Sequence, residues 1–563
     1  MMSATHTGRQ LASLVAGLLL LTGLHLRADE PEAYLKASSE SLRWFRDAKF
    51  GAFVCWGPCS IAGTEIGWSR NGPRAGRAPA NRGVPVEEYD NLYKQFNPTQ
   101  FNAREWVQLT KDAGARYLLF LTKHHDGFCL FDTQHTDYDV MNTPFKRDVT
   151  KELADACHEL GIRIVWYYSQ PDWHHPDYRT DTHANYIEYL HGQIRELCTN
   201  YGRIDGIWFD GLGGKAEDWD SKTLFRMIRE LQPGILINNR AGLPGDFDTP
   251  EQKIGRFQLD RMWESCITMS TGWSWRGEDA AVKPLKDCLH LLIKCAGGGG
   301  NLALDTGPMP DGRIDPRQAA NYRDMGAWLR DYGESIYATA GGPYKPAQWG
   351  VATRKGNTVY LHVLEWWGDD VLTLPPLPRT VVTCTAMTGG KATCEQTDTS
   401  LVIRLPQVQH AEIDTIIALK LDGSAMDFDP ISSLEAGAVS QGQTASANAE
   451  WSPEYSAAKA FDGNDDTRWG AAPGSRSGWL AVDLGKATTI DRVCVMEAPW
   501  NRVRKYQLQY RDGDTWQTWH EGTTLGEFRL KFNPVTAQHL RLNVTDATDV
   551  PTIWEVQFFE APE

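Results

Sequence analysis

The sequence has no concentrated positive charge and no closely spaced metal-binding cysteines. Its 563 residues carry a formal net charge of −15, with a pI near 5.5, and no cluster of basic residues offsets that charge locally. Nucleic acid, a polyanion, would be repelled, so nucleic-acid binding is not expected. The eleven cysteines include no C-x-x-C pair and no Cys/His cluster at zinc spacing, which argues against a structural zinc site.

The cysteines also form no disulfide framework, because their number is odd and their spacing is wide. Most of them are expected to be buried as small apolar residues. Cys384 and Cys394 are the pair best placed for a disulfide, since both lie in one short β-rich segment.

Long hydrophobic runs are absent except near the N-terminus, where an apolar run extends from Leu11 to Leu26. The run is short for a membrane span, follows Arg9 and ends just before Ala28, as in a signal peptide. We predict a signal peptide over residues 1–28, export to the periplasm or the cell exterior, and no membrane anchor in the mature protein. A retained anchor is the alternative. No cysteine follows the run, so a lipoprotein has no attachment point.

The chain also lacks the G-x-G-x-x-G turn of dinucleotide-binding sheets. From about residue 45 to 340, seven apolar runs alternate with helix-like segments, a pattern typical of a parallel sheet covered by helices. The runs are "FGAFVCWG", "RYLLFLT", "IRIVWYYS", "DGIWFDG", "GILINNR", "RMWESCIT" and "NLALDTGP". The predicted fold class is α/β, with a (β/α)8 barrel over residues 29–340. An open doubly wound sheet is the alternative, but its first strand would lead into a Gly-rich phosphate turn, where this chain reads "CWGPCS".

Two all-β units are predicted after the barrel. Residues 341–430 contain short alternating runs separated by turn residues, which indicate a small β-sandwich. A stretch rich in Ser, Ala, Gly and Gln then leads into a second all-β unit, so that residues 431–563 form the last predicted domain.

Polar residues that end predicted barrel strands are candidates for catalysis, because the active site of such a barrel lies at the carboxyl ends of its strands. This rule selects Cys55, Trp56, His124, His125, Tyr168, Asp210 and Glu264. Each alone could be a helix cap or a satisfied loop residue, but together they converge on one face. Two carboxylates among aromatic rings suit glycoside hydrolysis, with Asp210 ionised and Glu264, flanked by Trp263, protonated.

Seven motifs resemble the α-L-fucosidases of glycoside hydrolase family 29. They are "WFRDAKFGAFVCWGP", "TEIGWSR", "TKHHDGFCLFDTQHTDYDV", "YYSQPDW", "DGIWFDG", "WESC" and "GNLALDTGPMPDGRI". The resemblance covers about residues 40–340 and implies a retaining exo-α-L-fucosidase that acts on fucosylated glycans without a catalytic cofactor. It implies Asp210 as nucleophile and Glu264 as acid/base residue. Glu251 and Glu278 are rivals for the second role, because its position varies within the family.

Substrate-binding candidates follow from the strand ends and from this resemblance. They are His124, His125, Trp56, Trp68, Glu65, Tyr168, Arg256 and Cys55.

Cys55 departs from the family pattern, in which the first strand typically ends His-Trp-Gly. A thiol is a poor hydrogen-bond donor and a weak acceptor, so a sugar hydroxyl would lose about 1–3 kcal/mol, or roughly ten- to a hundredfold in transition-state binding. Three interpretations follow: a weakened fucosidase, a hydrolase of a related α-L-glycoside such as an α-L-galactoside, or a sugar-binding barrel with little turnover. A disulfide to Cys59 and a thiol nucleophile are further alternatives.

The last unit carries two motifs, "AAKAFDGNDDTRWG" and "IWEVQFFE", that resemble discoidin-type domains, including family 32 carbohydrate-binding modules. The resemblance implies a glycan as partner and a structural Ca²⁺ in the acid-rich turn. The implied ligands are Asp462, Asp465, Thr467 and Glu555, whose oxygen atoms suit Ca²⁺. A solvated Asx turn is the alternative.

Overall fold

The computed structural model describes residues 33–75, 77–80, 83–366, 370–497 and 500–561. The predicted signal peptide, residues 1–28, lies outside the described residues. Within the described ranges, no helix is long and apolar enough to cross a bilayer.

Eight parallel strands form a nearly closed barrel, which confirms the predicted fold. In chain order they are β1 (Phe50–Val54), β2 (Tyr117–Lys123), β3 (Arg163–Tyr168), β4 (Gly206–Phe209), β5 (Leu236–Ile237), β6 (Phe247–Asp248), β7 (Met262–Thr268) and β8 (Asn301–Thr306). The order around the barrel is β5-β4-β3-β2-β1-β8-β7-β6. A parallel bridge between Asn238 and Phe247 joins the two edges.

Strand β6 was not among the predicted strands, because two residues are too few to show a periodic pattern. The other seven strands coincide with predicted apolar runs. The segment between β5 and β7 contains β6 but no α-helix, and its loops contribute to the mouth of the barrel.

Helices cover the barrel, and four of them begin at side-chain caps. The α-helices are Ser39–Ala48, Val86–Tyr89, Ala103–Asp112, Val149–Leu160, His183–Thr199, Ser221–Leu231, Leu285–Gly297 and Pro316–Tyr332. The side chains of Ser38, Asn102, Asp148 and Asp315 each accept a hydrogen bond from a backbone N–H group of the first turn. These bonds satisfy donors that a helix start otherwise leaves unpaired.

Two antiparallel β units follow the barrel, each with its own hydrophobic core. The first contains a five-stranded and a three-stranded sheet, with strands Ala340–Gly341, Gly350–Lys355, Thr358–Val363, Val371–Leu374, Val381–Ala386, Thr393–Gln396, Leu401–Arg404 and Thr415–Leu421. The second contains one seven-stranded sheet, with strands Thr444–Ala447, Trp469–Gly470, Gly478–Glu497, Val503–Asp512, Thr515–Gly522, Glu527–Ala547 and Thr552–Glu560.

All eleven cysteines are free thiols, and eight of them are buried. The disulfide predicted between Cys384 and Cys394 is absent, although the two thiols interact. Cys55 and Cys59 are not bridged either.

Candidate active site

A cavity of about 390 Å³ lies at the carboxyl ends of the barrel strands. It is lined by Phe53, Cys55, Trp68, Leu121, His124, Tyr167, Trp208, Asp210, Leu212, Arg240, Glu251, Cys266 and Trp273. The ring of Tyr167 stacks on Trp208 at 5.4 Å between centroids and lies 5.9 Å from Phe53. Flat apolar faces combined with a few charged groups are features of a small-ligand site.

Asp210 directly follows β4 and lines the cavity. One carboxylate oxygen accepts a hydrogen bond from the hydroxyl of Tyr167 at 2.7 Å, and the other accepts one from Nη1 of Arg240 at 2.9 Å. Burial alone would raise the pKa of Asp210, but His125, Arg240 and the Tyr167 hydroxyl together lower it below the ordinary value. The carboxylate is therefore ionised at neutral pH, as a nucleophile must be.

His124 and His125 follow β2 and reach the same end of the barrel. Burial lowers the pKa of both, that of His125 to about 4, so both imidazoles are neutral at neutral pH and Arg240 is the cation beside Asp210. Nε2 of His125 lies 3.4 Å from Oδ2 of Asp210. His124 packs closely on Gly67, where a Cβ would lie 2.4 Å from Nδ1. His124 lines the cavity and, as a neutral imidazole, can both donate to and accept from sugar hydroxyls. His125, which was also predicted to bind the substrate, does not line the cavity: its side chain is fully buried, and its Nδ1 lies 2.6 Å from Oγ of Ser169.

These histidines and Asp210 place three donor atoms within 4.8 Å of one another, close enough to hold a metal ion. The guanidinium of Arg240, however, binds Asp210 at 2.9 Å, and its positive charge would repel a cation. The arrangement suits a neutral polyol beside a carboxylate better than a metal ion.

Arg240 and Glu251 form a charged edge of the cavity. Nη2 of Arg240 donates to Oε2 of Glu251 at 2.9 Å, while Nη1 donates to Asp210. The side chain of Glu251 is 44% exposed, against 11% for Asp210. One guanidinium thus holds two carboxylates, a buried one and a more open one. Arg240 was not predicted, although it ends the apolar run "GILINNR" and the strand-end rule could have selected it.

Glu264, the predicted acid/base residue, is not brought to the cavity. It lies in β7 two residues before the cavity-lining Cys266, and it is only 1% exposed. Its carboxyl group accepts hydrogen bonds from the Tyr117 hydroxyl and, at 3.0 Å, from Nε1 of Trp208. Burial raises its pKa to about 7, as a catalytic acid requires, but an acid must first reach the proton acceptor. Both oxygens are engaged inside the barrel.

Tyr168 faces away from the cavity. Its hydroxyl donates to Oε1 of Gln193 at 2.7 Å, and Nζ of Lys123 lies 4.6 Å from its ring centroid. The preceding residue, Tyr167, lines the cavity instead. Because successive side chains of a strand point to opposite faces, the prediction missed the cavity residue by one position.

Trp56, Arg256 and Glu278 also lie away from the cavity. The indole of Trp56 is buried among aromatic rings, 5.7 Å from Phe101 and 5.1 Å from Trp106. Arg256 and Glu278 are exposed loop residues that do not line the cavity.

Trp68 and Glu65 both lie in the loop after β1, but only Trp68 lines the cavity. Trp68 lines the cavity, with its ring 5.3 Å from that of His125. The carboxylate of Glu65 instead accepts hydrogen bonds from the backbone N–H groups of Trp273 and Ser274 at 3.1–3.2 Å. Glu65 therefore positions the loop that carries Trp273, a lining residue, without itself lining the cavity.

Cys55 lies in the cavity wall at the end of β1 and is 2% exposed. Burial raises the pKa of its thiol well above the ordinary value, and the adjacent Asp305 adds to this shift. The thiol is therefore protonated at neutral pH and is not a nucleophile. Among the described residues, the buried carboxyl group of Asp305 has a hydrogen-bonding interaction with Cys55 alone, through the thiol and the backbone N–H.

The predicted calcium ligands of the last unit are partly assembled. The hydroxyl of Thr467 lies 2.9 Å from both carboxylate oxygens of Asp462. One oxygen of Glu555 is buried without a partner; burial, with the charges of Asp462 and Asp465, raises its pKa to about 8. Asp465 binds Nζ of Lys345 at 2.7 Å. A cation beside Glu555 would bind the free oxygen and reduce the repulsion of Glu555 by Asp462 and Asp465. This donor set therefore fits a hard cation.

A groove of about 530 Å³ lies elsewhere on the last unit. It is lined by Trp451, Tyr455, Arg468, Gly470, Trp500, Arg502, Val550 and Thr552. Trp451 and Trp500 are half exposed, and the guanidinium of Arg468 lies 4.8 Å from the Tyr455 ring and 5.7 Å from the Trp500 ring. Exposed indole faces suit the C–H faces of sugars.

Sequence comparison places both ends of the chain in known families. A sequence model of the α-L-fucosidase family matches residues 27–334, and one of the F5/8 type C domain matches residues 443–556. Human tissue α-L-fucosidase is 29% identical over 418 residues, which cover 68% of this chain and 89% of that protein. Human plasma α-L-fucosidase is 28% identical over 355 residues, covering 57% and 76% of the two chains.

Solved structures of α-L-fucosidases are also similar to this chain. The α-L-fucosidase isoenzyme 1 from Paenibacillus thiaminolyticus has a TM-score of 0.62 and 33% identity, over 68% of this chain and 99% of that chain. A family 29 α-L-fucosidase from Bacteroides thetaiotaomicron, trapped as a covalent intermediate with 2-fluoro-fucosyl fluoride, has a TM-score of 0.60 and 28% identity, over 69% and 97% of the chains.

These matches confirm the resemblance carried by the motifs. The fucosidase match spans more than half of the 563 residues and contains every strand of the barrel and every residue that lines its cavity. The chain therefore belongs to the α-L-fucosidases of glycoside hydrolase family 29 and carries a discoidin-type domain at its C-terminal end.

Proposed function

We propose that this protein is an exported, retaining exo-α-L-fucosidase that removes terminal α-L-fucosyl residues from glycans. The observation that carries this proposal is the pair of carboxylates, Asp210 and Glu251, held by one guanidinium at the edge of an aromatic-lined cavity. Phe53, Tyr167 and Trp208 pack together at one wall of the cavity and offer flat apolar faces to a sugar ring. Export through residues 1–28 is part of the proposal.

In the double-displacement mechanism, each of the two carboxyl groups acts in both steps. Asp210 attacks the anomeric carbon as the glycosidic C–O bond breaks, and the acid gives its proton to the leaving oxygen. In the second step a water molecule attacks the same carbon, the second carboxylate takes the water's proton, and Asp210 leaves with its electron pair.

We assign the acid/base role to Glu251 rather than Glu264. Glu251 lines the cavity and has the more exposed carboxylate, so it can reach both the leaving group and the incoming water. His124 and Trp68, which line the cavity, would bind and orient the sugar through hydrogen bonds and ring contacts. His125 would instead hold Asp210 in position from behind the cavity wall.

The C-terminal groove is proposed to hold the enzyme to its glycan. Trp451 and Trp500 offer half-exposed rings there, and Arg468 offers hydrogen-bond donors. A site of this kind would raise the local concentration of chain ends around the barrel.

Replacing Cys55 with histidine tests the sugar assignment. We expect Cys55→His to raise kcat/KM for an aryl α-L-fucoside by about ten- to a hundredfold, because an imidazole regains the hydrogen bond that a thiol cannot make. Asp305, which lies against Cys55, can accept a hydrogen bond from the one N–H of a neutral imidazole, and the other ring nitrogen is then free to accept from a sugar hydroxyl. The measurement is hydrolysis of a panel of aryl glycosides headed by α-L-fucoside and α-L-galactoside.

Cys59→Ala is the matched control, since Cys59 is a buried thiol that does not line the cavity. If the parent enzyme cleaves the α-L-galactoside but not the α-L-fucoside, Cys55 marks a changed specificity and the fucosidase proposal is wrong. No turnover of either substrate would favour a sugar-binding barrel.

We also propose a structural Ca²⁺ in the C-terminal domain, bound by Asp462, Thr467 and Glu555. Chelation with EDTA is expected to lower the melting temperature of that domain and leave the barrel transition unchanged, because the cation neutralises clustered carboxylates that repel one another without it. Differential scanning calorimetry of the full chain resolves the two transitions. Glu555→Gln should abolish the response to EDTA; an unchanged C-terminal transition in the parent would contradict the assignment.

A further inference from the structure

Two arginines flank one wall of the catalytic cavity. They belong to a hairpin whose strands are Gly72–Arg74 and Arg77–Ala80. The guanidinium carbons of Arg74 and Arg77 lie 5.5 Å and 5.3 Å from the ring centroid of Trp68, which lines the cavity. Arg74 also lies 4.9 Å from the ring of Trp173, so two indoles fix its position.

Neither arginine has a carboxylate partner in the described parts of the chain. Nη2 of Arg74 donates to the backbone carbonyls of Trp68 and Arg70, and its Nε is buried without an acceptor. Arg77 is exposed and forms no ion pair with a described residue. Burial, together with the charges of Arg70 and Arg77, lowers the pKa of Arg74, as expected for a cation whose charge is not compensated.

Three acids of this region are already paired with other arginines. Asp90 forms a bidentate pair with Arg70 at 2.6 and 2.7 Å. Asp210 and Glu251 share Arg240. Positive charge therefore remains at the cavity wall of a protein whose net charge is −15.

Placing a second cation beside the partly buried Arg74 costs free energy unless an anion joins them. Guanidinium groups bind the planar or tetrahedral oxygens of carboxylate and sulfate through paired hydrogen bonds. Because the wall that they flank is also the wall of the sugar cavity, an anion bound there would belong to the substrate or to a sugar attached to it.

We propose that the glycan cleaved by this enzyme carries an anionic group, a sulfate ester or a carboxylate, which Arg74 and Arg77 bind beside Trp68. The inference rests on the proposed fucosidase function and adds the substrate class. Arg77 is the better residue to test, because its side chain is exposed and makes no hydrogen bond to a described residue, whereas the side chain of Arg74 supports the loop through the backbone of Trp68 and Arg70.

The test compares anionic substrates with their neutral counterparts on the full chain. The sulfate arm uses 4-nitrophenyl α-L-fucoside and its three ring monosulfates. The carboxylate arm uses an α-L-fucosyl glucuronide and its methyl ester. In at least one arm, kcat/KM for the anionic substrate should exceed that for the neutral one by about tenfold or more, chiefly through KM, and the ratio should fall as NaCl is raised.

Arg77→Gln should bring that ratio close to one. Arg104→Gln, which changes an exposed arginine of helix Ala103–Asp112 that does not line the cavity, should leave the ratio as in the parent. If the parent cleaves the neutral fucoside but shows no preference in either arm, the inference is wrong while the proposed function stands. Equal losses on neutral and anionic substrates in Arg77→Gln would also overturn it. No cleavage of any fucoside would refute the proposed function itself.

Discussion

Asp210→Ala is expected to lower kcat for an aryl α-L-fucoside by about four orders of magnitude or more, because the nucleophile is lost. The variant should still fold, since Arg240 keeps Glu251 and the backbone oxygen of Thr249 as partners. The measurement is release of the aryl group, with a thermal melt to check folding.

Added azide gives this experiment a second readout, the configuration of the product. In Asp210→Ala, azide can enter from the side of the missing carboxylate and yield β-L-fucosyl azide, with inverted configuration. Asp210→Asn retains the shape of the side chain but not its charge, and it should be as inactive as the alanine variant. Substantial turnover by pure Asp210→Ala enzyme would place the nucleophile elsewhere.

Glu251→Gln is expected to lower kcat/KM by about 10²- to 10⁴-fold for fucosides whose leaving group needs a proton, because the acid/base residue is lost. The loss should be much smaller for a 2,4-dinitrophenyl fucoside, which leaves without protonation. Azide should then accelerate the slow second step and give α-L-fucosyl azide, with retained configuration.

Glu264→Gln is the matched control for Glu251→Gln. A glutamine at position 264 can still accept from Nε1 of Trp208 and donate to the oxygen of Tyr117, so the barrel should fold and keep most of its activity. Azide rescue of a Glu264 variant, with Glu251→Gln remaining active, would reverse the two assignments.

Residue patterns predicted the architecture because a buried parallel strand appears in the sequence as an apolar run, and an amphipathic helix as apolar residues that recur with a 3.6-residue period. Seven of the eight barrel strands have such runs. Strand β6 does not, because pairing of Phe247–Asp248 is imposed by neighbouring strands and not by local sequence.

The residues of the site were predicted less completely, because the sequence does not show which way a strand side chain points or how deep in the barrel it lies. Tyr167 and Tyr168 have the same chemistry, and only the facing of β3 decides which one lines the cavity. Glu264 shares a face with Cys266 but lies one layer deeper in the barrel. A sequence shows that a residue belongs to a strand, but not how far along the barrel axis its side chain lies.

The contact between Arg240 and Glu251 could not be predicted from the sequence either. Both lie between β5 and β7, where the chain departs from the strand-then-helix rule and no α-helix separates the strands. The two residues are eleven positions apart, and the chain between them contains only the two-residue strand β6. Their contact therefore depends on the fold and leaves no periodic signal in the sequence.

The buried carboxyl group of Glu264 also links folding to pH. Its pKa is about 7 in the folded protein, against 4.5 as the ordinary value, so the folded state binds this proton more tightly than the unfolded chain. The resulting contribution to stability is fully present below about pH 4.5 and is lost as the pH rises through 7. Through Glu264, mildly acidic surroundings therefore favour the folded barrel over the unfolded chain, and alkaline surroundings remove that advantage.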